Sequence, residues 1–320
     1  MLEALAWATT RDLPVRVLGG GSNIVVADAG FPGLVIDMAM RGVHWAAPAA
    51  RGDVRIVRAA AGEPWDEFVA SMVSAGFQGL ECLSGIPGRV GATPIQNVGA
   101  YGQDVSETIT EVVAIDARER ARHVFSKAEC QFSYRDSFFK SREPGRYVVT
   151  EVTFELHAGG APAVRYAELE RWFSTRNNAS PTLAEVRATV LQLRRAKSMV
   201  LDASDPNSRS CGSFFVNPVL SAQEFAAFRA RAANDAHEDD VPCFPQQGGR
   251  VKLSAGWLIE HAGLPRGTRD GAVGLSTQHA LAMVAHEGAQ AADVARLSER
   301  VQRTVYEQFG VRLEPEPVFW

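Results

Sequence analysis

The chain has 320 residues, of which 46% are hydrophobic, 22% charged and 8% aromatic. That is enough for about two domains of roughly 150 residues, and too apolar for a disordered chain. Acidic residues outnumber basic ones by 37 to 33, a net charge of -4, which argues against a general nucleic-acid binder while leaving room for a local basic pocket. No stretch approaches the roughly 18 apolar residues of a membrane span. The start MLEALAWATTRDLPV lacks the charged-then-apolar pattern of a signal peptide. Cys82, Cys130, Cys211 and Cys243 lie far apart with no CxxC pair, so neither zinc nor a disulfide framework is expected. The expectation is a soluble cytoplasmic protein.

The opening alternates β-branched runs with glycine turns: strands VRVL (15–18), IVVA (24–27) and GLVIDM (33–38), with GGGSN (19–23) between the first two. VRIVRAAAG (54–62) is a further strand. In PWDEFVASMVSAG (64–76), Trp65, Phe68, Val69, Met72 and Val73 recur at helical spacing and Gly76 marks the stop. Next comes LECLSGIPGRVGATPIQNVGAYG (80–102), poor in regular signals and long for a loop inside a compact domain, a combination that is usually functional. EVVAIDA (111–117) and RHVFS (122–126) read as a hairpin, and RYVVTEVTFEL (146–156) as a strong strand. SPTLAEVRATVLQLRRAK (180–197) reads as an amphipathic helix with Ser180 as its cap, Pro181 in its first turn and Glu185 nearby. SDPNSRSCGS (204–213) is a polar break and a candidate domain junction. Beyond it SAQEFAAFRARAAND (221–235), SAGWLIEHAG (254–263) and AADVARLSERVQRTVYEQFG (291–310) read as helices, and RLEPEPVFW (312–320) as extended. The pattern is α+β, β-rich first and more helical later.

GGGSN lies between two strands, so it lacks the strand-to-helix context of a Rossmann fingerprint. Its backbone N–H groups could converge on an anion, or it could be an ordinary hairpin turn. SGIPGRVGATPIQNVGAYG holds five glycines and two prolines in 19 positions, a backbone that a flat or phosphorylated ligand can approach closely. YRDSFFK (134–140) sets Arg135 and Lys140 beside aromatics. Arg135 offers a planar fork to carboxylate or phosphate, or it forms an exposed ion pair with Asp136. SCGSFFVNP places Ser213 between Gly212 and two phenylalanines. In LEPEP, Glu314 and Glu316 share one side of an extended tail, where both could be solvated. The histidines form no HxxxH or HExxH, and no GxSxG accompanies a triad.

In this order, LGGGSNIVV, SGIPGRVGATPIQNVGAYGQD, CQFSYRDSFFK, CGSFFVNP, VKLSAGWLIEHAG and GVRLEPE closely resemble the UDP-N-acetylenolpyruvoylglucosamine reductase family, flavoproteins of bacterial cell-wall synthesis. YRDSxFK followed by VRYAELERWF is similar to the type I subgroup, which carries a loop with a substrate-binding tyrosine. The resemblance implies a two-part FAD-binding domain of the vanillyl-alcohol-oxidase superfamily plus a smaller α+β substrate-binding domain. Its boundaries would be 1–199 for the FAD-binding domain (subdomains at about 1–42 and 43–199), 200–312 for the substrate domain, and 313–320 as a tail returning to the first. It implies that NADPH reduces FAD, and that flavin N5 then passes hydride to C3 of UDP-N-acetylglucosamine enolpyruvate. Ser213 would protonate C2, and Arg135 and Glu316 would stabilise the enolic intermediate. FAD would lie along Gly19, Gly20, Gly21, Ser22 and Asn23 and along Ser84, Gly85, Ile86, Pro87, Gly88, Gly91, Ala92, Gln96, Asn97, Gly99, Ala100, Tyr101 and Gly102. Tyr166, Lys197 and Asn217 would hold the sugar nucleotide, with Gln278 or His279 as a further contact.

No metal, nucleic acid or membrane insertion is expected, and the chain is expected to be a monomer. The family usually has one more strand and helix before VLGGGSN, so this chain is expected to lack the first strand of the FAD domain. Two other readings stand beside the leading one. One is a flavin oxidase acting on a sugar alcohol or lactone, against which the GSFF serine and LEPE carboxylate argue. The other is a non-catalytic nucleotide-binding module.

Overall fold

A computed structural model describes residues 1–46, 52–232 and 241–320. The chain divides into two compact units. The first comprises Met1–Gly21 and Pro32–Arg195, the second Ser22–Phe31 and Ala196–Trp320. The second therefore starts at the end of a helix, ahead of the polar 204–213 break. The tail at 313–320 belongs to it together with residues 22–31.

The first unit is built on an antiparallel sheet with strand order Arg122–Ser126, Ile109–Asp116, Tyr147–Ala158, Val54–Ala60 and Val43–Trp45; Phe77–Gln78 pairs with the end of the long strand. The expected hairpin forms, with Arg122 opposite Ile115. The helix Trp65–Ser74 buries the five side chains its spacing singled out, Trp65, Phe68, Val69, Met72 and Val73. They pack with Val57, Phe154 and Leu156, and each large side chain removed from water in this way stabilises the unit by about 1.5–3 kcal/mol. Gly76 ends the helix with φ +79°, a left-handed turn that a glycine takes without strain. A smaller core of Cys82, Leu169, Phe173, Val186 and Val190 joins the glycine-rich segment to the helices Ala167–Ser174 and Leu183–Ala196. The first of these two helices was not expected. The second is capped by Thr182, not Ser180: Glu185 N donates to Thr182 Oγ1 (3.2 Å) and Thr182 N to Glu185 Oε2 (2.7 Å), a reciprocal capping box.

GGGSN is not a hairpin turn. Val15–Leu18 pairs in parallel with Leu34–Asp37, whereas Ile24–Val25 pairs in parallel with Val318–Phe319. The strands flanking the glycines thus belong to different sheets, and the chain passes from one unit to the other at Gly21.

The second unit contains a four-stranded antiparallel sheet in the order Ser210–Ser213, Ala282–Ala285, Val273–Leu275 and Arg269–Asp270, and a three-stranded one of Val219–Leu220, Val251–Leu253 and Cys243–Pro245. Helices Ala222–Ala232, Ala255–His261 and Ala291–Phe309 complete it; residues 233–235 of the first expected helix lie outside the described residues. The long helix buries Leu297, Val301, Val305 and Phe309, four residues apart, and stops at Gly310, φ +68°. Asp28 accepts from the free N–H groups of Ala291 and Ala292 at its N-terminus (2.7 and 3.3 Å).

Candidate active site

The glycine-rich segment of the first unit is held from behind. Gly85 N donates to Asp66 (2.6 Å), whose carboxylate also receives both arms of Arg187 (2.6 and 2.9 Å). Burial alone would raise the Asp66 carboxyl. Hydrogen bonds from Arg187 and the Gly85 amide, with the guanidinium charge, outweigh it and hold the group below the usual carboxylate value. Trp65 Nε1 donates to Leu83 O (3.1 Å) and Ser84 Oγ to Glu81 O (2.6 Å). Farther on, Trp65 N donates to Gly88 O, Val90 N to Glu63 O and Gly91 N to Ala61 O. Ile86 packs against the main core, and a turn at Val90–Ala92 leads into Thr93–Gln96. Then follows a two-residue hairpin turn, Gly99–Ala100 to Gln103–Asp104, with Tyr101 at φ +49° and Gly102 at φ +78°.

A Cβ on Gly20 would lie 2.7 Å from the Cα of Gly88, so the two glycine-rich segments touch backbone to backbone at this point. On either side of it the surroundings differ. A Cβ on Gly19 meets nothing within 4 Å, and one on Gly21 meets only a Leu18 methyl at 3.9 Å. Glycine is thus required by packing at position 20, while at 19 it leaves open space beside bare backbone. A dinucleotide with a diphosphate fits such a surface, because backbone N–H groups reach it without intervening side chains.

Arg135, in the 134–140 loop, lies against the 80–102 segment. Its backbone is left-handed, φ +55°. Its guanidinium donates to the carbonyls of Gly99 and Asn97 and lies 3.5 Å from Asp104 Oδ1. Asp136, the neighbour weighed as its ion partner, accepts instead from Ser137 N and Ser141 Oγ. Gln96 Oε1 accepts from Lys140 (3.0 Å). Tyr166 precedes the helix Ala167–Ser174 and stands edge-on to Tyr101, ring centroids 5.4 Å apart. Burial raises the phenol of Tyr166, and the charge of Glu168 adds to that.

In the second unit, Ser213 ends the strand Ser210–Ser213 opposite Ala282, just after Gly212 at φ +71°. The chain then pairs with the C-terminal tail: Glu316 N donates to Phe214 O (2.8 Å) and Val216 N to Glu314 O (3.0 Å). Phe214 and Phe215 are buried and fix this pairing. Ser213 and Glu316 therefore stand on neighbouring backbones. Asn23 joins them, its Nδ2 donating to Glu316 O (3.3 Å). The two tail glutamates do not share one environment, since Glu314 is exposed and Glu316 half-buried. Asn217 Oδ1 accepts from Ala255 N (2.8 Å) at a helix N-terminus. Lys197 follows the helix Leu183–Ala196 and is half-buried, Gln278 is exposed, and His279 Nδ1 accepts from Leu281 N (3.3 Å).

Tyr166 thus belongs to the first unit, and Lys197, Asn217, Gln278 and His279 to the second. Sequence reasoning passed over Asp66, Arg187 and Asp104; the acidic residue that closes the GAYGQD stretch was the available signal for the last. Asp116, Glu119 and His123 bring three ligand-type atoms within 4.8 Å of one another. Arg146, however, lies 2.7 Å from Asp116 and 3.3 Å from Glu119, so a guanidinium of the chain serves these carboxylates.

Residues 1–124 match a family described as FAD binding domain, and residues 205–320 match the C-terminal domain of UDP-N-acetylenolpyruvoylglucosamine reductase. The chain is 50% identical to the UDP-N-acetylenolpyruvoylglucosamine reductase of Thermobifida fusca, over 97% of this chain and 88% of the relative. It is 47% identical to that of Streptomyces coelicolor, over 99% and 82%. This chain belongs to the UDP-N-acetylenolpyruvoylglucosamine reductase family. The crystal structure of the reductase from Thermus caldophilus covers all of this chain with 90% of its own, at a TM-score of 0.64 and 26% identity. The expected family and the α+β fold with an FAD-binding domain are borne out, and the chain is an FAD-dependent oxidoreductase. Among the described residues no helix is long and apolar enough to cross a membrane.

Proposed function

We propose that the chain reduces UDP-N-acetylglucosamine enolpyruvate to UDP-N-acetylmuramate with NADPH, in the cytoplasm and as a monomer. The observation that carries the mechanism is the pairing of Phe214 with Glu316, which brings a hydroxyl and a carboxylate onto adjacent backbones at the end of a strand. Residues Gly19 to Asn23 and Ser84 to Gly102 would hold FAD, with 1–199 serving the cofactor and 200–312 the substrate. Bound FAD supplies the redox chemistry, accepting a hydride from NADPH and returning one to the substrate.

The chain's own groups do the rest. Ser213 gives a proton to C2 of the enolpyruvyl group. A serine hydroxyl is a weak acid, so it donates only where the charge developing beside it is stabilised. Arg135 provides that stabilisation as electron density moves onto the substrate carboxylate, and a preorganised positive charge of this kind is usually a large term; Glu316 acts beside it as a hydrogen-bond partner of the enolic intermediate. Tyr166, Lys197 and Asn217 orient the uridine diphosphate and sugar, with Gln278 or His279 at the edge.

Separated half-reactions test this. In Ser213→Ala, NADPH should still bleach the bound flavin, while its recolouring by the enolpyruvyl sugar nucleotide should nearly cease. Recolouring at the unmodified rate removes Ser213 from the mechanism. Oxygen uptake with sugar alcohols, or a flavin inert to both reagents, would favour an oxidase or a non-catalytic module.

A further inference from the structure

The catalytic assignments leave one cation of the YRDSFFK motif without a role. We propose that Lys140 is a positioning residue for Arg135: its ammonium holds the Arg135 carbonyl and so keeps the backbone in the conformation that aims the guanidinium. The inference rests on the assignment of Arg135 above. Lys140 Nζ donates to Arg135 O (2.8 Å) and to Gln96 Oε1 (3.0 Å). Both partners are neutral oxygens, and one of them belongs to the glycine-rich segment.

Arg135 needs such a hold. A non-glycine residue in the left-handed region persists only where its surroundings over-determine it, and here Arg135 at φ +55° faces a segment with two more, Asn97 at φ +43° and Tyr101 at φ +49°. The ends of the loop are pinned to that segment by neutral groups. Asn97 Nδ2 donates to Ser133 O (2.7 Å) and Ser137 Oγ to Ile95 O (2.8 Å). Lys140 supplies the pin between them, and a charged donor makes the stronger bond.

The chain is shaped to bring it there. Phe138–Arg142 forms a single wide turn closed by Glu143 N on Phe138 O (3.0 Å), a geometry often found at functional sites. Phe138 and Phe139 seat it among Phe125 and Tyr147, with centroids 5.0–6.2 Å apart. With two rings anchoring this turn, Lys140 is directed back to Arg135 and Gln96.

The test uses the FAD-loaded enzyme under anaerobic rapid mixing, with Lys140→Met and Lys140→Arg, each alone and combined with Arg135→Ala. For Lys140→Met, flavin content and the rate of bleaching by NADPH should match the unmodified enzyme. Recolouring by the enolpyruvyl substrate should fall between about ten- and a hundredfold, the scale of loss for a catalytic group displaced by about 1 Å. Lys140→Arg, which keeps a charged donor and also covers the case in which methionine unfolds the loop, should recover most of that rate. In the Arg135→Ala background, Lys140→Met should cost nothing further, because a residue acting through Arg135 has nothing left to position. Unchanged recolouring in Lys140→Met, additive losses in the double variant, or equal loss of both half-reactions with release of flavin would each overturn the proposal. Normal recolouring in Arg135→Ala alone would instead remove the assignment on which it rests.

Discussion

Placing a methyl group on Gly20 or on Gly19 separates two jobs that neighbouring glycines perform. On Gly20 the new Cβ would stand 2.7 Å from the Gly88 Cα and 3.3 Å from its carbonyl carbon and nitrogen. Both neighbours are backbone atoms, so relief requires moving a loop by about 1 Å to regain a carbon–carbon contact of roughly 3.5–4.0 Å. Overpacking of this kind costs about 1–3 kcal/mol. Gly20→Ala should therefore lower the melting temperature of the flavin-free protein. If the displaced loop also holds FAD, the same energy weakens flavin binding by about five- to 150-fold. On Gly19 the added methyl meets nothing within 4 Å, so Gly19→Ala should leave the flavin-free melting temperature unchanged while weakening FAD binding. The assay is thermal unfolding of apoprotein beside FAD titration followed by quenching of flavin fluorescence. A normal melting temperature for Gly20→Ala would refute the packing argument, and normal FAD affinity for Gly19→Ala would refute the placement of cofactor against that backbone.

Gly99→Ala sets a Cβ onto Asp104 Oδ1 and 2.8 Å from Arg135 Nη1, so it should slow recolouring by substrate more than bleaching by NADPH in rapid-mixing traces. Asp66 is held below its ordinary value by Arg187 and the Gly85 amide; its contribution is present above the unfolded value near 3.8 and is lost as pH falls through the lower folded one. Asp66→Asn should accordingly flatten the loss of stability in acid, and at neutral pH should cost about 1 kcal/mol because the carboxylate is partly exposed, measured by urea unfolding across pH. Asp116 is fully buried and accepts from Arg146 and from the Arg118 and Glu119 amides, while Arg146 would keep Glu119 and Glu143 as partners, so Asp116→Ala should cost about 1–3 kcal/mol in the same assay.

Local chemistry made several elements legible before any coordinates. Apolar residues three and four apart mark one face of a helix because the helix turns every 3.6 residues, which is why 65–74 and 291–309 could be read directly. Glycine density around 84–102 pointed to a ligand-bearing backbone for an equally local reason. The cap of the 183–196 helix was misread because Ser180 and Thr182 both have capping hydroxyls. Only the folded geometry shows which of the two meets Glu185. The helix at 167–174 was missed, since it buries only Leu169 and Phe173 and lies mostly against water.

Periodicity and turn chemistry gave the α+β pattern, and the resemblance of the ordered motifs to a known family implied a flavin enzyme and singled out candidate segments for its chemistry. Partnership across long sequence distances was decided by the tertiary structure alone. Ile24–Val25 pairs with the tail almost 300 residues later, Glu316 lies on Phe214, and Lys140 reaches back to Gln96. Strand edges and hydrogen-bonding side chains carry no record of their partners in local sequence. Those pairings are chosen by the packing of whole units, once the loss of chain entropy on closing such long loops is offset by buried surface.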